Sequence, residues 1–317
     1  MEDISCIFCG KRSGHVAIEE NGYHGVKCDT CKLIYISPRP SSNEIKQIYT
    51  DDHAILYADA EFRFQSVNRM EAALTLSKIQ RYRKHGSILE LGPGGGSFLV
   101  EARSFGYDPY AIELNPIEAR WINEKLHIPC EDAALNGSSF GGRQFDIVYH
   151  QDVLSHLYDP ISVFHDINRA LKKGGLLVFE TGNIADLEKK YYKWFSQFFY
   201  PDHLFFFGEK SLRILLERTG FKCICIHKQA ILLQLLLQKI LWRIKDSLKD
   251  KKEVEEMRSA KDPASESKRL SLKRRLRLLY RYVTHYLVRC GAILPKEGRP
   301  LKLLVITEKE PEMKARE

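Results

Sequence analysis

The feature that most constrains the fold is an alternation of short apolar runs with amphipathic stretches, which begins at Ser87. Strands that alternate with helices of about 10 to 15 residues need crossover connections, and these produce a parallel sheet with helices on both faces. The pattern therefore predicts an α/β fold with seven mostly parallel strands. The strand-forming runs are SILEL, PYAIEL, IPCED, FDIVY, GLLVFE, FKCICI and LKLLVIT.

Changes in composition divide the chain into five parts. The first part carries cysteines and turn residues and ends at Ser37-Pro38-Arg39-Pro40, where two prolines forbid a helix. A basic segment with helical periodicity then interrupts the sheet pattern before its last strand. The expected parts are a small module over 1–40, a helical connector over 41–86, the sheet over 87–229, a basic helical insert over 230–300, and the last strand with a tail over 301–317.

A glycine-rich loop, Glu90-Leu91-Gly92-Pro93-Gly94-Gly95-Gly96, lies directly after the first strand and before a helix. Glycines let the backbone turn sharply and let a ligand approach the main chain, and the helix that follows offers unpaired N–H groups. Glu113 ends the second strand, where a carboxylate can accept hydrogen bonds from two ribose hydroxyls, and Asp132 ends the third. These three sites should meet at the carboxyl edge of the sheet, where open α/β sheets bind ligands.

These motifs resemble those of the class I S-adenosylmethionine-dependent methyltransferases. The loop ELGPGGG fits the family's acid-x-Gly-x-Gly-x-Gly pattern, and FDIVY followed by VLSHLYDP fits its fourth-strand pattern. The resemblance covers about residues 87–227 and 301–308. It implies a Rossmann-like fold, S-adenosylmethionine as cofactor, the glycine loop against the methionine part, Glu113 on the ribose and Asp132 near the adenine amine. The expected cofactor-binding residues are Glu90, Gly92, Gly94, Gly96, Glu113, Asp132 and Gln151.

Two other functions share parts of this pattern. A nicotinamide-dependent dehydrogenase has Gly-x-Gly-x-x-Gly spacing, whereas Gly92, Gly94 and Gly96 stand at every second position. An interaction protein that keeps the fold only as a scaffold would be favoured by the loss of Glu113 or of a loop glycine, and neither is lost. Both functions are therefore less favoured than methyl transfer.

Methyl transfer needs the acceptor to be aligned and its proton removed, so a general base is expected. The candidate catalytic residues are His150 and His156, after the fourth strand, and His203 in Tyr200-Pro201-Asp202-His203. An ordinary histidine pKa of about 6.5 suits this role. Histidines at such positions also cap helices or bond backbone carbonyls, and that alternative stays open for all three.

Two Cys-x-x-Cys pairs lie in the N-terminal module, Cys6 with Cys9 and Cys28 with Cys31. Four thiolates at this spacing favour a closed, tetrahedral and therefore structural zinc site. A single redox pair would not explain two pairs. The module, with the text after it, also resembles the N-terminal module of methyltransferases of sugar, antibiotic and cell-surface polysaccharide pathways. That resemblance implies that the module contacts the acceptor pocket and that Tyr49 and Tyr57 lie near the cofactor. Ordinary aromatic packing explains these two tyrosines equally well.

The positive charge is concentrated in the insert. Residues 231–300 carry 18 Lys and Arg against 8 Asp and Glu, a net charge of +10 in a chain of net charge +8. This favours an anionic small-molecule or saccharide acceptor, or peripheral contact with an anionic membrane, although a solvated helical pair over the sheet edge explains it equally well. Leu272, Leu276, Leu279, Val283, Tyr286 and Cys290 fall on one face of a helix there, with arginines on other faces.

A nucleic-acid methyltransferase is the main alternative, with the zinc module and the basic insert gripping phosphates. Against it, the fourth strand is followed by HQDVLSH rather than by the Asn/Asp-Pro-Pro-aromatic run of base methyltransferases. We expect no sequence-specific nucleic-acid binding. Eight cysteines are too few for a disulfide-dense secreted protein, and the sequence MEDISCIFCG lacks the basic and apolar regions of a signal peptide. Together with the lack of a long apolar run, this favours a cytoplasmic protein without a membrane-spanning helix. The pattern does not distinguish transfer to oxygen, nitrogen or carbon, nor the oligomeric state.

Overall fold

The structure is a computed structural model that describes residues 1–45, 65–195, 197–232, 235, 272–291 and 294–311. It confirms the predicted sheet of seven strands, six of which run in one direction while the last runs against its two neighbours. The strands are β4 (Gly86–Leu91), β5 (Tyr107–Ile112), β6 (Cys130–Glu131), β7 (Phe145–Gln151), β8 (Leu171–Gly182), β10 (Phe221–Ala230) and β11 (Leu301–Lys309). Their order across the sheet is β10-β11-β8-β7-β4-β5-β6.

Helices cover both faces of this sheet. Successive β7 residues pack in opposite directions, so Val148 belongs to the cluster that contains Phe164 while Ile147 belongs to the one that contains Leu76. Asn115 and Asp159 cap two of the helices, and each is followed by a proline that suits the first helical turn. The helices are α1 (Gln65–Ile79), α2 (Ser97–Ser104), α3 (Pro116–Lys125), α4 (Pro160–Ala170), α5 (Glu209–Arg218) and α6 (Leu272–Arg289).

The N-terminal module forms a second, four-stranded antiparallel sheet. Three of its strands come from the module, and the fourth comes from a segment far along the chain. Buried residues of the module, among them Cys28 and Leu33, belong to the same hydrophobic cluster as Phe164 of α4. The module therefore shares a core with the large sheet. The strands are β1 (Gly14–Glu20), β2 (Tyr23–Cys28), β3 (Ile34–Ile36) and β9 (Phe205–Phe206).

The insert leaves and re-enters the sheet at its carboxyl edge, because Ala230 at the end of β10 pairs with Leu301 at the start of β11. Part of the expected helical insert is the helix α6, which packs against α1. Residues 46–64 of the expected 41–86 connector, which include Tyr49 and Tyr57, and residues 236–271 of the insert lie outside the described residues. Among the residues that are described, no helix is both long and apolar enough to cross a membrane.

The apolar face expected on α6 does not pack against the protein. Leu279, Val283 and Tyr286 are 59%, 44% and 45% exposed, whereas Thr284 and Arg289 are buried. The part of the expected apolar face whose side chains are described is therefore exposed, and the polar side of the helix faces inward. The physical reason is that α1 and β8 present charged partners to α6, so its polar face is the one that pairs.

Candidate active site at the carboxyl edge of the sheet

The parallel strands end in register, and this places the expected cofactor residues along one edge. Leu91 pairs with Ile112, and Ile112 pairs with Glu131. The glycine loop, Glu113 and Asp132 directly follow these three residues. The structure therefore brings together side chains that stand far apart in the sequence, as the strand pattern predicted.

The loop conformation accounts for its glycines. Gly92, Gly94 and Gly96 have φ angles of +64°, +53° and +81°, a region that side chains rarely adopt. A Cβ atom on Gly92 would lie 2.9 Å from Cγ2 of Val153, and one on Gly96 would collide with Leu126. Gly96 also begins α2, whose first turn has no side-chain cap. The loop is thus a cradle of bare backbone of the kind needed for close approach of a cofactor.

The acidic residues of this edge differ in their surroundings. Glu90 is buried in the last part of β4, and Asp132 is exposed. Glu113 is half-buried, and its Oε1 accepts a hydrogen bond of 2.9 Å from the backbone N–H of Asn115. Because Asn115 also caps α3, the Glu113 carboxylate is held at the strand end. Gln151, the last residue of β7, accepts a hydrogen bond of 3.1 Å from the Tyr149 hydroxyl.

Two of the three candidate histidines lie next to each other beside this loop. His156 ends a short 3-10 helix, Leu154–His156, that follows Val153, and its ring centroid lies 4.5 Å from that of His203. Asp202 places Oδ1 3.1 Å from Nδ1 of His156. One ligand atom from each of these residues lies within 4.8 Å of the others, so the cluster could also hold a divalent cation. We call His156, Asp202 and His203 the acceptor-side cluster.

His203 is the least hydrated member of the acceptor-side cluster. Its Nδ1 is buried and has no hydrogen-bond partner among the described residues. Its ring lies between Phe199 and Phe206, with centroids 5.2 and 5.6 Å away. Burial, with a further contribution from the charge of His156, lowers the pKa of His203 to about 4. The ring is therefore neutral at pH 7, which leaves one ring nitrogen with a lone pair.

His150 lies apart from the other two histidines, in the hydrophobic core. It is 1% exposed and stacks on Phe179 with ring centroids 5.0 Å apart. Neither of its ring nitrogens has a hydrogen-bond partner within the described ranges, and burial lowers its pKa to about 3. His150 therefore faces the interior, although it stands next to Gln151 in the chain.

The N-terminal module holds the segment that carries His203. Strand β3 pairs with β9, with Tyr35 opposite Phe205. The carboxylate of Glu20 accepts hydrogen bonds from the backbone N–H groups of Phe198 and Tyr200, at 2.7 and 2.8 Å. The backbone N–H of Leu204 donates to Ser155, which links the segment to the 3-10 helix of His156. Sequence patterns had no signal for this pairing, since two- and three-residue strands have no detectable period.

The four expected metal ligands converge at the base of this module. The Sγ atoms of Cys6 and Cys31 are 3.3 Å apart, and those of Cys9 and Cys28 are 3.6 Å apart. The pKa of Cys6 is raised by its hydrogen bond to Cys31 and by burial, whereas the same bond lowers the pKa of Cys31. Tetrahedral zinc prefers thiolates about 2.3 Å from the metal, and this donor set fits it.

A buried charge cluster at the same edge was not expected from the sequence. Glu180, near the end of β8, is fully buried and receives bonds from Arg289 and from Thr75. Lys302 places Nζ 3.2 Å from its Oε2 and 3.3 Å from Oδ2 of Asp152. Burial opposes ionisation of Glu180, but the charges of Arg289 and Lys302 outweigh it, so the pKa of Glu180 lies below its usual value. These contacts fasten α1, β11 and α6 to the sheet.

Comparison with known proteins gives a family match over the same region. The model of a family described as "Methyltransferase domain" matches residues 61–226. The ubiquinone biosynthesis O-methyltransferase of Ruegeria sp. is 28% identical over 155 residues, which cover 42% of this chain and 62% of that protein. The tRNA U34 carboxymethyltransferase of Aliarcobacter butzleri is 25% identical over 178 residues, which cover 51% of this chain and 56% of that protein.

A solved structure of similar fold is phosphoethanolamine N-methyltransferase 2 of Haemonchus contortus in complex with S-adenosyl-L-methionine. It is 15% identical, the alignment covers 88% of this chain and 62% of that one, and the TM-score is 0.48. Each of these comparisons spans only part of the length of the relative. The family match covers the glycine loop and strands β4 to β8, but it ends within β10 and does not reach β11. The names of the relatives differ in the acceptor, from ubiquinone biosynthesis to tRNA.

Proposed function

The chain belongs to the class I S-adenosylmethionine-dependent methyltransferase family, and from that premise we propose that it transfers a methyl group to a small-molecule or saccharide acceptor. One observation carries the proposal. The bare-backbone cradle at Gly92 touches Val153, and Val153 leads directly into the 3-10 helix that ends at His156 of the acceptor-side cluster. A cofactor cradle and a polar cluster with a neutral histidine therefore adjoin at one edge of the sheet.

The residues that would hold S-adenosylmethionine are those of the strand ends. The main chain from Gly92 to Gly96 would accommodate the methionine part, and Glu113, positioned by Asn115, would accept the ribose hydroxyl hydrogens. Asp132 and Gln151 would lie at the adenine and at the crevice wall. When bound, the cofactor supplies a methyl group on a sulfonium, which is already strongly activated for transfer.

The chain itself would align the acceptor and receive its proton. We assign that proton to the His203 ring, because its Nδ1 is buried and unpaired among the described residues and the ring is neutral at pH 7. Asp202 and His156, joined by a hydrogen bond of 3.1 Å, would orient the neighbouring ring. His150 is less suited to this role, since its ring faces Phe179 and Phe164 in the core.

Charge supports a small acceptor rather than a nucleic acid. The module over residues 1–40 carries five Lys and Arg and five Asp and Glu, so it offers no net attraction for phosphates. The chain outside the insert has a net charge of −2. An RNA acceptor would then have to be held by the insert alone, and nucleic-acid methylation is the alternative that the experiment must test.

We further propose that Cys6, Cys9, Cys28 and Cys31 hold a structural zinc ion. The site is closed by four protein ligands, so it leaves no position for substrate. Its role would be to fix the module that pairs with β9 and so to position His203. Metal analysis of the purified protein, with one zinc per chain expected, tests this assignment directly.

The experiment for the whole proposal is transfer from methyl-labelled S-adenosylmethionine into a host extract that is then split into nucleic-acid, lipid and water-soluble fractions. Label in the water-soluble or lipid fraction, reduced with the variant His203→Gln, supports the proposed acceptor class and base. Label in the nucleic-acid fraction overturns the acceptor class. If no fraction is labelled although the cofactor binds, the transfer itself is contradicted.

A further inference from the structure

The helix α6 has its polar and apolar faces reversed relative to an ordinary surface helix. Its inward face contains Thr284, Val288 and Arg289, all at most 7% exposed. His285, on the same side, places Nδ1 2.9 Å from Oε1 of Glu71. In a typical globular protein such polar side chains face water and the apolar ones face the core. The buried polar side chains of the inward face and the exposed apolar side chains of the outward face therefore both need partners.

Buried partners compensate the inward face. Arg289 donates from Nη1 to Glu180 and from Nε to Glu71, at 3.1 Å for the latter. Burial alone would lower the pKa of Arg289, but the two carboxylates raise it, so the guanidinium stays charged. A paired and hydrogen-bonded buried charge is strongly favoured over an unpaired one. These contacts fix the rotation of α6, and its apolar side must therefore point outward.

The outward face is a continuous apolar stripe with nothing in the described structure over it. Its residues recur at steps of three, one, three and one, the spacing of one side of a helix. We call it the α6 outer face, and it consists of Leu279 (59% exposed), Tyr282 (42%), Val283 (44%), Tyr286 (45%) and Leu287 (37%). Contiguous exposed apolar groups of this kind mark an interaction surface rather than ordinary surface.

Charge selects the partner. The helix Leu272–Arg289 contains six Lys and Arg and no Asp or Glu, and the insert around it has a net charge of +10. A second copy of the same helix would be repelled. An anionic lipid surface instead attracts basic residues while it accepts apolar and tyrosine side chains at the level of its headgroups.

We propose that the α6 outer face docks on an anionic lipid bilayer, with its leucine, valine and tyrosine side chains in the headgroup region and with the net positive charge of the insert increasing its affinity for that surface. The helix would lie on the bilayer without crossing it. Because the insert leaves the sheet between Ala230 and Leu301, docking would place the carboxyl edge of the sheet near the membrane. This inference does not depend on the acceptor proposed above.

The test is flotation of the full chain with vesicles of phosphatidylcholine alone and with vesicles that also contain phosphatidylglycerol. We expect binding to the mixed vesicles at least about tenfold tighter, and weaker with added salt, since an anionic surface attracts basic residues and salt screens that attraction. Equal binding to both vesicle types, or no binding to either, overturns the proposal.

Two matched double variants distinguish lipid binding through the α6 outer face from non-specific binding through other exposed apolar side chains. Leu279→Gln/Val283→Gln removes two apolar side chains from the α6 outer face, and we expect affinity for the mixed vesicles to fall about tenfold. The control, Val16→Gln/Ile224→Gln, replaces two exposed aliphatic side chains by Gln at positions outside the insert that are 45% and 39% exposed. It should bind as the unaltered chain does.

Two further outcomes would overturn the assignment to lipid. One is a concentration-dependent dimer that the variant Leu279→Gln/Val283→Gln abolishes, which would make a second copy the occupant. The other is equal loss of vesicle binding in the control variant. Calorimetry with S-adenosylmethionine checks folding, because neither pair of substitutions touches the glycine loop and both variants should retain cofactor affinity.

Discussion

The cofactor side and the acceptor side of the sheet edge are built in different ways. On the cofactor side, each residue lies at the end of its own strand or in the loop directly after it, and Glu113 is held by Asn115 two positions later. On the acceptor side, the His203 segment is held by Glu20, which is 180 residues away from its partner Tyr200. The cofactor side is organised by contacts between residues close in sequence, and the acceptor side by contacts between the N-terminal module and a segment far along the chain.

This difference indicates that the two sides should fail separately. The backbone of the glycine loop depends on β4, α2 and β5, which pair without help from the module. The acceptor-side cluster depends on β3, β9 and the two Cys-x-x-Cys pairs. A substitution that destabilises the module should therefore displace His203 more than it displaces Gly92. The predictions below use this asymmetry, beginning with the largest expected effect.

Loss of the metal should have the largest effect on the acceptor side. In the variant Cys28→Ser one thiolate is missing, and structural zinc sites contribute on the order of 10 kcal/mol to folding. We expect zinc content to drop below stoichiometric, the Tm to fall sharply and methyl transfer to be lost. Metal analysis with calorimetry measures this. Replacement of the exposed Cys290 by Ser is the control, and a stable, active Cys28→Ser protein would contradict both the zinc site and its bracing role.

Removal of the proposed base should separate catalysis from cofactor binding. General-base catalysis contributes about 10²- to 10⁴-fold, so His203→Gln should lower kcat by that factor. Affinity for S-adenosylmethionine should not change, because His203 lies on the acceptor side. Single-turnover kinetics and calorimetry provide the two readouts. An equal loss with His150→Gln at unchanged stability would instead favour the buried histidine.

Removal of Glu113, the proposed ribose-binding residue, should weaken cofactor binding without changing the acceptor side. Glu113→Ala deletes a charged acceptor of two hydrogen bonds, each of about 1.5 to 3 kcal/mol when one partner is charged, so cofactor affinity should fall at least about a hundredfold. Zinc should remain bound, since the module lies on the other side. Titration calorimetry tests this, with Glu124→Ala on the exposed side of α3 as control. Unchanged affinity would refute the ribose assignment.

The pH dependence of stability should give the smallest effect. The folded-state pKa of His203 is about 4, below the ordinary value of about 6.5, because the ring is buried. The unfolded chain therefore binds the proton first as pH falls, and this group's contribution to the free energy of unfolding, complete above pH of about 6.5, is lost between there and about 4. His203→Gln should flatten that decline. The exposed His165→Gln should leave it unchanged, and a profile unaltered in His203→Gln would contradict the low pKa.

The sequence predicted elements well where local chemistry decides them. The run SILEL, residues 87–91, was expected as the first strand of the sheet, and the structure places β4 at Gly86–Leu91. Strands β8 and β10 are longer than expected, reaching back to Leu171 and on to Ala230. The ladder with β11 extends β10 through residues such as His227 and Gln229, whose composition alone does not indicate a strand.

The amino-acid sequence by itself determined the glycine loop, the acids at the strand ends and the two thiol pairs, because each depends on residue types at short, fixed spacings. The tertiary structure decided which histidines meet, why Tyr35 pairs with Phe205, and which side of α6 faces inward. The physical reason is that a buried charge and an unpaired strand edge both need partners, and proximity in space selects Glu180 for Arg289 and β9 for β3. No pattern within a short stretch of sequence contains that choice.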